Sequence, residues 1–141
     1  MFDEFDKYIK DFEAEDFAGD YWYDEGILIA GDMLQKFEDS DWDLLKQALP
    51  ERSNGWKCRL AYCLDEPDDR RQSEILLELA DTDDTELFIT AVDALRCFKD
   101  RNSIIKNNDK IKQKIEKLVP EAGMATKKIL QDFLKPQGGE L

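Results

Sequence analysis

The residues best equipped for chemistry in this chain are its carboxylates, and their spacing decides what they can do. There are 33 Asp and Glu against 20 Lys and Arg, a formal charge of −13, and no His anywhere. Without His, the commonest general base, metal ligand and triad member are all missing. Alternating acids at Asp39, Asp41 and Asp43, and again at Asp81 and Asp83, could open a calcium loop. Such a loop needs Gly at its sixth position and Glu at its twelfth. The chain offers Leu44 and Pro50 in one case and Glu86 and Val92 in the other, so helix capping is the better reading of both. Cys58 and Cys63 lie five apart with no second pair downstream, which does not match zinc spacing; they and Cys97 sit in helical apolar patterns as small hydrophobes. No glycine-rich phosphate loop is present, and with so many acids the pairing of any two carboxylates carries no information about glycosidase chemistry. Lys106, Lys110, Lys112, Lys114 and Lys117 spread over several helical faces, as a solvated surface does. These exclusions point to a protein that binds and does not catalyse, with no cofactor and no metal.

Two groups of residues fit such binding. Trp22, with Tyr23 after it and Asp20, Asp24 and Glu25 around it, is an aromatic run edged by acids. Aromatic rings supply rigid contact area and attract Arg or Lys. The competing reading packs Trp22 between the first two helices. The second group is the acidic turns, Asp39 and Asp41 in one and Asp65, Glu66, Asp68 and Asp69 in another. Some of these acids must cap helices; the surplus can hold a basic protein. Net negative charge repels nucleic acid and anionic membranes and accelerates encounter with a positive partner. The charge is graded: residues 1–50 carry 15 acids and 4 bases, residues 51–100 carry 13 and 7, and residues 101–141 carry 5 and 9.

The elements that hold these residues read as helices throughout, with no convincing strand. Phe5, Ile9 and Phe12 make one stripe of a first helix, from about Phe2 to Phe17. Ile27, Ala30, Leu34 and Phe37 make a second, running to Phe37. A third begins at a capping box spanning Ser40 to Asp43, and Ser53 or Asn54 caps a fourth through Trp56, Leu60 and Cys63. Asp68 opens a fifth, Asp83 or Asp84 a sixth, and two more cover about Ile104–Val119 and Pro120–Leu134. Pro50, Pro67, Pro120 and Pro136 punctuate the pattern. Trp42 and Trp56 fall at apolar positions and are expected in the core.

A shift of 31 residues superposes Leu44 on Ile75, Leu45 on Leu76, Ala48 on Leu79, Leu49 on Ala80, Trp56 on Leu87, Leu60 on Ala91, Cys63 on Ala94 and Leu64 on Leu95. This favours duplicated helical hairpins, although any hairpins with similar loops could show part of it; a third copy is not evident. The expected fold is all-α, a short HEAT-like or α-solenoid-like stack of antiparallel hairpins with about eight helices. It forms one domain over residues 1–136, with a flexible tail at 137–141. No run approaches the roughly 18 apolar residues of a membrane-spanning helix, and the start lacks an export signal, so a cytoplasmic location is expected.

The stretch Trp42-Asp43-Leu44-Leu45-Lys46-Gln47-Ala48-Leu49, then Trp56-Lys57-Cys58-Arg59-Leu60-Ala61 and Ile75-Leu76-Leu77-Glu78-Leu79, resembles the HEAT-like helical immunity proteins of bacterial polymorphic toxin and contact-dependent growth inhibition systems. The resemblance covers roughly residues 40–98 and is structural in character. It implies a protein that binds the C-terminal domain of a cognate toxin, a basic RNase or DNase, in a 1:1 complex and blocks it without turnover. It transfers no contact residue. The alternative is a helical-repeat adaptor that docks a basic protein without inhibiting it.

Overall fold

The computed structural model describes residues 1–13 and 21–135. Among these the chain is all-α, with nine α-helices and no strand: α1 Phe2–Glu13, α2 Ile27–Gln35, α3 Asp39–Ala48, α4 Asn54–Cys63, α5 Arg70–Ala80, α6 Thr85–Leu95, α7 Arg101–Asn107, α8 Asp109–Leu118 and α9 Met124–Leu134. No helix is long and apolar enough to cross a membrane. The single domain expected over 1–136 is organised as two compact units, Met1–Leu64 and Asp65–Leu141. The tail expected at 137–141 lies outside the described residues.

The first unit is built on aromatic rings. Phe2, Phe5, Ile9 and Phe12 form the buried stripe of α1. Phe5 meets Trp56 edge to face at 6.1 Å and Phe37 at 5.6 Å, and Phe37 meets Trp42 at 5.1 Å. Trp42 and Trp56 are therefore core residues, as their periodicity predicts. Within this apolar packing sits a carboxylate. Asp6 accepts the Trp56 indole N–H at 2.9 Å and two guanidinium N–H groups of Arg52 at 2.9 and 2.8 Å. Burial alone would raise its pKa, but the hydrogen bonds and charges of Arg52 and Lys10 outweigh that, and the net shift is downward.

Capping decides where helices start. The box at α3 is formed by Glu38 and Asp41, two residues earlier than the Ser40 and Asp43 pair expected. The earlier register wins because Asp41 at N3 serves two ends at once, accepting Glu38 N–H and Phe2 N–H, both at 3.0 Å. Ser53 caps α4 through Trp56 N–H, and Asp84 caps α6 through Leu87 N–H. Asp69, not Asp68, caps α5 through Arg71 and Gln72 N–H. The cap positions Glu38 and Asp69, and likewise Ser53 and Asp84, obey the same 31-residue shift as the apolar pairs. Leu45 and Leu76, Leu49 and Ala80, Trp56 and Leu87, Leu60 and Ala91, and Leu64 and Leu95 are buried in both copies. Leu44 departs from the pattern: it is exposed where Ile75 is buried.

The second unit has a core around Leu76, Leu79, Phe88, Val92, Ile115 and Leu130, with α5 and α9 both packed on α6. The segment after Asp100 holds three helices where two were expected, because α8 begins anew at Asp109 after a break at Asn108. Arg101 is buried, and its guanidinium donates to the carbonyls of Asp132 at 2.5 Å and Lys135 at 2.6 Å. It thereby satisfies backbone groups at the C-terminal end of α9 and opposes the negative pole of that helix. Cys97 lies at the surface, not in an apolar face, because α6 ends at Leu95 and its period no longer applies.

Candidate partner-binding surface

The segment that carries the aromatic run is helical. Trp22–Gly26 is a π-helical turn that continues directly into α2, with Ile27 N–H bonded to Trp22 O, five residues back. A π turn inserts one residue into the helical period and so turns the side chains around it. The turn is closely packed. Trp22 packs edge to face on Phe12 at 5.0 Å, and the space beside the two rings is open only because residue 26 has no side chain. A Cβ on Gly26 would lie 2.5 Å from Trp22 Cε3 and 2.9 Å from Phe12 Cζ.

This turn inverts the expected roles. Trp22 is only 3% exposed, so its packing reading holds and it offers no surface to a partner. Arg59 covers it further, with Cζ 5.9 Å from the ring centroid. Tyr23, one residue on, is 57% exposed and meets Tyr62 of α4 edge to face, with centroids 5.4 Å apart, planes at 87° and hydroxyls 3.3 Å apart. Tyr21 is exposed as well and stacks on Phe12 at 5.7 Å. Behind it, burial pushes the Tyr8 hydroxyl pKa up, and Tyr21, Glu25 and Cys63 add to the shift. The π turn therefore runs past the last turn of α4 and brings Tyr23 to Tyr62. Tyr62 carried no signal in the sequence, since its place beside Tyr23 depends on helix packing across 39 residues.

The charge on this segment is one-sided. From Asp11 to Gln35 the sequence contains eight acids and not one Lys or Arg. Asp24 and Glu25 are both exposed, and neither makes an ion pair among the described residues. Asp20 lies outside the described residues.

The other predicted contact residues lie at helix starts and in turns. In the first unit Asp41 is committed to its two backbone donors, which hold its pKa below the ordinary carboxylate value. Asp39 is exposed on the first turn of α3. In the second unit Asp69 is the α5 cap, and Asp65 and Glu66 are exposed. Asp68 is ion-paired to Lys99 at 2.7 Å, which raises the Lys99 pKa. That pair borders an open depression of about 320 Å³ lined by Pro67, Asp68, Arg70, Lys99 and Asp100. Its walls carry both signs of charge, so it has no preference for a cationic partner. The predicted sites thus lie in both units, and the strongest grouping is Tyr23, Asp24 and Glu25 with the added Tyr62. Among the described residues no cluster of His, Cys, Asp or Glu could hold a metal ion. Comparison of the chain with known protein families, curated proteins and solved structures finds no match.

Proposed function

We propose that this protein is a stoichiometric inhibitor, an immunity protein that binds a basic toxin domain, of nuclease type, and covers its substrate groove. The observation that carries this reading is the segment of the π turn and α2, which has no Lys or Arg of its own and exposes Tyr21, Tyr23, Asp24 and Glu25. A nuclease groove must be positive to hold phosphates, so a fixed array of carboxylates competes for the same field. Rigid tyrosines give the contact area that charge alone lacks. The resemblance of residues 40–98 to helical immunity proteins agrees with this reading, and so does the absence of His-based machinery.

Co-expression with the candidate toxin domain tests it. Growth should be rescued, and the purified pair should form a 1:1 complex whose affinity falls as salt is raised from about 0.05 to 0.5 M, where the screening length drops well below ~10 Å. Joint substitution Asp24→Lys and Glu25→Lys should abolish both rescue and binding. A complex insensitive to salt and to that reversal would overturn the proposal, and a complex that leaves the toxin active would make the protein an adaptor.

A further inference from the structure

We propose that Tyr23, braced by Tyr62 and edged by Asp24 and Glu25, is the seat of an arginine side chain from the basic partner; this rests on the reading of a basic partner given above. Three observations converge on it. The first is preorganisation. Tyr23 follows a buried Trp22 wedged against Phe12, so the backbone beneath it is fixed, and the contact with Tyr62 restrains its ring. A ring held in place before binding loses little entropy on contact.

The second is that this unit already seats guanidinium groups on its rings. Arg52 Cζ lies 5.6 Å from the Trp56 centroid and Arg59 Cζ lies 5.9 Å from that of Trp22. Tyr23 is the exposed counterpart, and no described Lys or Arg of the chain stacks upon it. The third is the charge beside the ring, where Asp24 and Glu25 have no cation among the described residues.

Arginine suits this combination better than lysine. A planar, weakly hydrated guanidinium can lie on the tyrosine face while its in-plane N–H groups reach a carboxylate. An ammonium is also attracted to a ring, as Lys114 is to Phe88, but it is strongly hydrated and has no face to stack, so it gains less from the tyrosine. Stacking and charge are therefore separable by experiment.

The probes are two acetylated, amidated tetrapeptides of equal charge, Gly-Arg-Arg-Gly and Gly-Lys-Lys-Gly. Each is titrated at low salt into the full chain, with the tyrosine ring resonances followed by NMR. The arginine peptide should bind about two- to five-fold more tightly and move the Tyr23 and Tyr62 signals most. Tyr23→Leu should remove that preference with helix content unchanged, and Tyr23→Phe should keep it. Asp24→Asn with Glu25→Gln should weaken both peptides alike. Equal binding of the two peptides, or a preference that survives Tyr23→Leu, overturns the arginine seat while leaving the basic-partner reading standing. If neither peptide binds, that reading falls and the seat falls with it.

Discussion

The two units of this protein handle charge in opposite ways. Residues 1–64 carry 16 acids and 7 bases, a formal −9, whereas residues 65–141 carry 17 and 13, a formal −4. The second unit pairs its acids internally: Asp68 with Lys99, Asp81 with Lys110, and both Asp93 and Asp132 with Arg96. In the first unit Arg52 and Lys10 both converge on Asp6, one carboxylate at the edge of the core. Two of its seven bases are thus drawn to a structural role, and among the described residues Asp24, Glu25 and Asp32 enter no ion pair. Surplus charge of this kind does little for folding, since self-repulsion destabilises the compact state. Its presence on one unit, beside exposed tyrosines, is what makes that unit the better candidate for binding.

The comparison breaks most sharply at Asp6. Asp6→Ala would leave the Arg52 guanidinium and the Trp56 indole N–H without their shared acceptor, a loss of about 3–5 kcal/mol for a pair this enclosed. All three tryptophans, Trp22, Trp42 and Trp56, belong to the first unit, so indole fluorescence during urea unfolding reports that unit alone. The midpoint should fall steeply. A shift equivalent to less than about 1 kcal/mol, the scale of an exposed pair, would show that Asp6 is no keystone. The same residue sets an acid limit. Its pKa is lowered in the fold, so its stabilisation is complete above the unfolded carboxylate value of about 4 and disappears as pH falls through the lower folded value. Fluorescence-detected stability should therefore hold from neutral pH to about 4 and decline below it, and Asp6→Ala should flatten that decline.

Gly26→Ala comes next in size and tests whether the π turn is what turns Tyr23 outward. The new methyl would meet Trp22 and Phe12 ring carbons at 2.5 and 2.9 Å, so at least one ring must move. Overpacking of this kind costs typically about 1–3 kcal/mol. The displaced Trp22 should shift its emission to the red, and any binding through Tyr23 should weaken with it. Unchanged stability and emission would mean that the aromatic packing tolerates an ordinary helix there.

What the sequence revealed, and what it hid, follows the range of the forces involved. The stripe Phe5, Ile9, Phe12, the caps at Ser53 and Asp84, and the core places of Trp42 and Trp56 are set within a few residues, and local pattern found them. The buried charges were illegible because their partners are distant: Asp6 answers to residues 46 and 50 positions away, and Arg101 to carbonyls 31 and 34 away. The connector Leu49–Glu51, a short 3-10 turn with Pro50 inside it, recurs at Val119–Glu121 with Pro120. A fixed shift of 31 residues could not detect it. Of the candidate surface, Tyr23, Asp24 and Glu25 were legible as an acidic aromatic run. Trp22 was ambiguous within that run, because hydrophobicity alone does not tell which ring of three turns inward; the small residue at position 26 decides it.

The mildest test uses the second glycine of the same segment. Gly31 sits inside α2, yet nothing lies within 4 Å of where its Cβ would be, and its backbone needs no conformation that Ala cannot adopt. Steric room removes the only reason to retain glycine for packing. Alanine restricts the unfolded chain and favours helix by about 0.5–1 kcal/mol relative to glycine. Gly31→Ala should therefore raise the fluorescence-detected urea midpoint of the first unit, the opposite sign from Gly26→Ala five residues earlier. If the two substitutions shifted stability in the same direction, the contrast between a glycine required by ring packing and one merely tolerated by a helix would not hold. A stabilised Gly31→Ala protein that also bound the arginine peptide less well would place the exposed face of α2 within the docking surface, extending it beyond Tyr23 and Tyr62.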